Sequence, residues 1–223
     1  MRKLIGVLCV GLLASAANAH FVFLVPDPAA GTVTLVFSDS LEPDAKLKAE
    51  SFAPVAAAKL TARAADGTET PVTGTRDGNS LKLKLPAGTT AVYGTAVFGV
   101  FQKGTAPAQH ITYFPKAVVG PLPADVKPVG APVEIVPVAE GGKVRFRVLA
   151  DGKPAAKVEV SVKAGEKAEA NKLTTDEAGL TPAVEGSGRF AVYARVVADA
   201  AGEHNGKKYE KAARYATLVV DVK

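Results

Sequence analysis

The sequence predicts an all-β protein built as two antiparallel β-sandwich domains. Short alternating or Val-rich runs recur along the chain and suit strands better than core helices. Gly, Pro and Asp turns separate them at intervals of about 8–12 residues, the rhythm of a sandwich. Hydrophobic residues make up 48% of the 223, enough to fill a core and to exclude a disordered chain.

The first element is not a strand. Met1-Arg2-Lys3 is a basic start, Leu4 to Ala14 is an apolar run, and Ser15-Ala16-Ala17-Asn18-Ala19 is a small-residue tail. That order is a secretory signal peptide over residues 1–19, and its run is too short to anchor in a bilayer. The A-x-A rule places the cut between Ala19 and His20, with Ala14-Ser15-Ala16 a competing cut three residues earlier. Cleavage would take away the single Cys, the single Met, Arg2 and Lys3, leaving 204 residues with 25 bases and 22 acids. The expected product is periplasmic or secreted, carries no thiol, and has no membrane span.

Candidate strands then follow in order. In the N-terminal β domain (20–119) they are Phe21–Val25, Thr32–Phe37, Lys59–Ala64, Leu81–Leu85, Ala91–Phe101 and Ile111–Val119. Leu81-Lys82-Leu83-Lys84-Leu85 has period 2, which puts Leu inward and Lys outward. Asp66-Gly67, Asp77-Gly78 and Pro86-Ala87-Gly88 supply turns, and the Ala/Lys/Glu-rich stretch Pro43–Ala58 is the one place for a short helix. Three Pro and two Gly within Gly120–Gly130 mark a stiff linker, 120–131, between domains. The C-terminal sandwich (132–223) is expected to hold Val133–Val138, Lys143–Leu149, Lys157–Val162, Leu180–Ala183, Arg189–Val197 and Ala212–Val222.

Composition and motif content exclude several function classes. A net charge of +3 after cleavage, with Lys interspersed among Asp and Glu, is a solvated surface, so no nucleic-acid partner is expected. The sequence has no G-x-S-x-G elbow, H-E-x-x-H, Walker loop or G-x-G-x-x-G. No Trp is available as a sugar platform. Binding is favoured over catalysis, and no enzyme activity is expected.

Histidine is the informative scarcity. The chain has three, and His20 would be the first residue after cleavage. An N-terminal His offers its α-amine and ring Nδ1 together as a chelate. The amine's ordinary pKa of about 7.7–8.0 lets a metal displace its proton near neutrality. A second imidazole would complete a histidine brace. His110, at the start of a strand, and His204, in the polar segment Ala201–Gly206, are the candidates. Asp39, Glu42 and Asp44, which follow the Thr32–Phe37 run, are candidate carboxylate donors, and Asp39 is taken with the three His as the metal set. Amine, imidazole and carboxylate suit Ni(II), Co(II), Cu(II) or Zn(II), and ligand type alone does not choose between nickel and copper.

Several segments taken together resemble a known family. They are His20-Phe21-Val22-Phe23-Leu24-Val25-Pro26, Val133-Glu134-Ile135-Val136-Pro137, Asp151-Gly152-Lys153-Pro154, Thr175-Asp176-Glu177-Ala178-Gly179, and Gly202–Tyr209 with Arg214–Leu218. Their order resembles the exported domain-of-unknown-function family associated with bacterial nickel/cobalt uptake. The second half is similar to the transthyretin-like or Cna-B-type sandwich of carboxypeptidase regulatory domains, an Ig-like architecture. Where that family often shows a Gly-His pair after the second strand, this chain reads Phe37-Ser38-Asp39. The resemblance implies a periplasmic protein that assists divalent-metal uptake or handling, with a membrane transporter component as partner and His20 and His204 as ligands. The alternative is an extracellular structural or adhesion module with a Cna-B-like sandwich and no metal.

Overall fold

The computed structural model describes residues 20–165 and 169–223, so the signal-peptide reading of 1–19 lies outside the described residues. The first half runs β1 (Phe21–Asp27), β2 (Thr32–Ser38), α1 (Ala49–Ala56), β3 (Lys59–Ala64), β4 (Glu69–Val72), β5 (Gly74–Asp77), β6 (Ser80–Lys84), β7 (Thr89–Phe101) and β8 (Gln109–Pro121). The second half runs β9 (Val133–Glu140), β10 (Lys143–Ala150), β11 (Lys153–Pro154), β12 (Glu159–Ala164), β13 (Asn171–Thr174), β14 (Gly188–His204) and β15 (Lys207–Val222). The protein is all-β, as the sequence predicts. In β6, Leu81 and Leu83 are buried while Lys82 and Lys84 are exposed, as the period-2 pattern requires.

The strands form a four-stranded sheet (β1-β2-β6-β5), a three-stranded sheet (β11-β10-β9) and an eight-stranded sheet. The order of the last is β13-β12-β14-β15-β8-β7-β3-β4, so it draws strands from both sides of residues 120–131. The join between the halves is β15 on β8, and this pair is parallel, where only antiparallel pairing was expected. Ala213↔Ile111 through Val219↔Ala117 lie side by side in it.

Strand alternation shows how the layers stack. On β8, Ile111, Tyr113 and Ala117 belong to one core, which contains Phe23, Leu35, Phe52 and Leu83. Phe114 and Val118 belong to a second core, with Ile135, Phe146, Val162 and Leu218. On β15, Ala213, Tyr215 and Val219 face the first core, and Ala216, Leu218 and Val220 face the second. Residues of opposite parity point to opposite faces of a sheet. The two small sheets therefore cover opposite faces of the large one, and the central strands are apolar on both sides. Runs such as Leu218-Val219-Val220 are the continuous apolar stretches that a strand covered on both faces requires.

Residues 120–131 carry the chain from β8 to β9 and are pinned rather than loose. The buried Glu134 carboxylate accepts Lys116 Nζ at 2.6 Å, the Val129 N–H at 2.9 Å and the Gly130 N–H at 3.1 Å. Lys116 and Glu134 are each only 3% exposed. Burial pushes the Lys116 ammonium below the usual lysine range, and Glu134 opposes that push.

The helix lies within the stretch expected for it, whereas the expected strand Leu180–Ala183 does not form a continuous ladder. The helix begins at Ala49, and it buries only Phe52 and Val55. The expected strand Leu180–Ala183 makes only isolated bridges to β10, Arg147↔Leu180 and Val144↔Val184. Pro182 lacks the N–H that a continuous ladder needs. Thr181 substitutes a side chain, its Oγ1 accepting the Phe146 N–H at 3.0 Å.

The buried pair yields a stability prediction. Lys116→Met should leave Glu134 without its counter-charge and cost about 3–5 kcal/mol in urea unfolding. Adding Glu134→Gln should recover part of that loss, and strictly additive costs would show that the two charges are not coupled.

Candidate functional site

His20 sits at the start of β1, where two contacts hold the backbone to the large sheet. Tyr113 Oη on β8 donates to the His20 carbonyl at 3.1 Å, and Thr217 Oγ1 on β15 donates to the Val22 carbonyl at 2.6 Å. Burial raises the Tyr113 phenol well above its ordinary pKa, so its proton stays available for this bond. The His20 ring lies 5.4 Å from the Phe37 ring, centre to centre.

The imidazole is oriented by Asp44. His20 Nε2 and Asp44 Oδ2 are 2.7 Å apart, with both side chains largely sheltered. The bond from His20, followed by the Lys46 N–H, holds the Asp44 carboxyl below its usual range. An ionised carboxylate only accepts hydrogen bonds, so Nε2 carries the proton in this bond, and Nδ1 is the nitrogen whose lone pair is left to a ligand. His20 also lines a cavity of about 480 Å³ with Phe37, Phe98, Ile111, Tyr113 and Tyr215 on its walls. Gln109 and Arg195 line it as well, and are joined by a bond from Arg195 Nη2 to Gln109 Oε1.

The other two histidines are elsewhere. Ile111 and Tyr113 point into the His20 cavity, so His110, one residue before Ile111 on β8, faces the opposite side of the sheet. There it meets His204, with ring centres 4.7 Å apart, and stacks on Tyr209 at 5.1 Å. The structure thus separates His20 from the imidazoles expected to close a brace with it and brings those two together. Among the described residues no group of three or more His, Cys, Asp and Glu is placed to hold an ion.

The carboxylates divide in a similar way. Of the three acidic residues after β2, Asp44 reaches His20. Asp39, the one taken into the metal set, instead offers its backbone carbonyl to Lys163 Nζ at 2.8 Å. Glu42 donates its N–H to Ser40 Oγ and accepts from the same hydroxyl through its carbonyl. Tyr113 and Tyr209, which contact the histidines, are given no site role in the sequence reading, because a Tyr in a strand reads as ordinary core.

Residues 17–198 match the domain of unknown function DUF4198, and the chain belongs to that family. No curated protein matches it. Among solved structures, a tetra-tandem repeat in the extending region of a large adhesion protein aligns over 92% of this chain at 14% identity, with a TM-score of 0.22. The chain spans 50% of that structure's length. No helix among the described residues is long and apolar enough to cross a membrane.

Tyr113→Phe tests the anchoring of His20. Loss of one hydrogen bond with the ring retained should lower stability by about 0.5–1.5 kcal/mol. In the same variant, amide exchange should quicken at Phe21 and Val22, and unchanged exchange there would show that the phenol does not hold the strand end.

Proposed function

We propose that the protein is an exported binding protein for a divalent transition metal, Ni(II), Co(II), Cu(II) or Zn(II), which it holds through the amine and Nδ1 of an N-terminal His20. The observation that carries this reading is the Asp44–His20 bond. A carboxylate on the distal imidazole nitrogen is the usual outer partner of a metal-bound histidine, fixing its tautomer and raising its basicity. It leaves Nδ1, the nitrogen that closes a six-membered chelate ring with the residue's own α-nitrogen.

The donor set fits a borderline ion. Amine and imidazole nitrogens suit the later first-row divalent metals, and the site lacks the soft sulfur that Cu(I) prefers. His20 offers two nitrogens, so an ion bound there keeps positions for water or for a receiving group. Incomplete coordination of this kind suits uptake or handling, including transfer to a membrane transporter component, better than permanent storage. The role is binding rather than catalysis.

The test compares a chain that begins at His20 with one that retains Ala19. Co(II) serves as the probe because it displaces amide protons less readily than Cu(II) or Ni(II). Co(II) should bind the chain that begins at His20 more tightly, and equal affinities would remove the chelate. Asp44→Asn should weaken binding by about 10–100-fold, the usual cost of losing such an outer partner. A chain that binds no divalent metal in either form would leave the structural-module reading.

A further inference from the structure

The second histidine pair stands apart from the His20 site and carries its own chemistry. His204 ends β14 and Lys207 opens β15, with His204↔Lys207 the last pair before the turn. Between them Asn205 and Gly206 have φ of +48° and +75°, the two positive values of a type I′ hairpin turn. A two-residue turn of this kind fixes the position of its flanking residue, so His204 is held on a rigid tip. The tip lies against Gly99 of β7, where the ladder between β7 and β8 slips by one residue. A Cβ at Gly99 would come within 3.8 Å of the His204 ring.

His110 completes the pair from below. Its Nε2 is buried and lacks a hydrogen-bond partner. An unpaired buried ring nitrogen costs free energy unless something else satisfies it. The Tyr209 ring also lies nearly parallel to His110, tilted by 24°. Gly202 admits the tyrosine there, since a Cβ at that position would fall 2.5 Å from Tyr209 Oη.

We propose that His110 and His204 form a second, two-imidazole site for a borderline divalent cation of the Zn(II) or Co(II) class, built from the β8 strand and the β14–β15 hairpin tip. The ring separation agrees with joint ligation. Metal–imidazole bonds of about 2.0–2.1 Å place each ring centre roughly 3.2 Å from the ion, and a cis pair then has its centres about 4.5–5 Å apart. The observed 4.7 Å, with the rings tilted by 47°, falls in that interval. Asn205 Nδ2 is 3.2 Å from His204 Nε2, a weak bond that an ion would replace. Desolvation and the neighbouring His204 lower the pKa of His110, which favours the neutral, ligating ring.

This site does not depend on the His20 reading, and its test keeps the two separate. His20→Gln removes the first site, after which Zn(II) is titrated into the full exported chain while imidazole ring signals are followed by NMR. The expected result is one ion bound per chain, with the His110 and His204 signals moving together. Binding should be lost in His20→Gln/His204→Gln, whose second change is at a partly exposed turn, and also in His20→Gln/His110→Gln. Retained binding in either double variant, or no saturable binding in His20→Gln, would overturn the proposal. A His204 signal that moves while His110 stays still would do the same.

Discussion

The architecture depends on one constraint, that β8, β14 and β15 are covered on both faces. A strand with one wet face can alternate apolar and polar residues, but a strand between two cores cannot. The parallel seam of β8 and β15 is where this condition is met, because it joins strands from the two halves and offers each small sheet a face of its own. Losing the seam would expose apolar surface on both sides at once. The halves of the chain are therefore energetically linked even though a Pro- and Gly-rich stretch separates them in sequence. Lys116 and Glu134 reinforce the link from the second face, tying β8 to β9 and to the crossover amides.

The same two-faced strands decide where the histidines go. Along β8 adjacent side chains alternate faces, so His110 and Tyr113 cannot serve one site although they are three residues apart. Tyr113 supports His20 from the first face. His110 turns to the second, where the long β14–β15 hairpin folds its tip back over the sheet. The scarcity of histidine suggested a shared metal set, and strand parity divides it into two places with different chemistry. One holds an imidazole against a carboxylate, and the other brings two imidazoles to within 4.7 Å of each other at a tilt of 47°.

Much of this was legible in the residues. Lys59–Ala64 has the bounds read from the sequence, and the Leu/Lys alternation of β6 fixed its inward face without ambiguity. The short polar strands were not legible: Glu69–Val72 and Gly74–Asp77 are mostly exposed edge strands with no apolar period. The β14–β15 hairpin was underread, because the segment Ala201–Gly206 looked like a polar loop. Its Asn205-Gly206 pair is a strong two-residue hairpin signal, and weighing it would have placed His204 on a defined tip. The contact of Asp44 with His20 spans 24 residues, across β1, β2 and the irregular segment that follows β2. No local pattern could separate Asp44 from Asp39 and Glu42, since all three sit in turn-like sequence.

A terminal residue is ordinarily a poor place for a ligand, because chain ends fray and an ordering cost must be met on binding. In the function proposed for His20 as a terminal residue, the sheet meets that cost in advance. The first strand is hydrogen-bonded to β2 from Phe21 onward, and its backbone is also bonded by side chains of β8 and β15. Phe21 is stacked on Tyr193 at 4.0 Å and packs edge-on against Tyr215. The strand end that presents His20 is thus fixed by the interior strands that bear both cores. An imidazole held on such a support, with its tautomer set by Asp44, has lost most of its freedom before any ion arrives, and preorganisation of that kind is what a ligand on a chain end would otherwise lack.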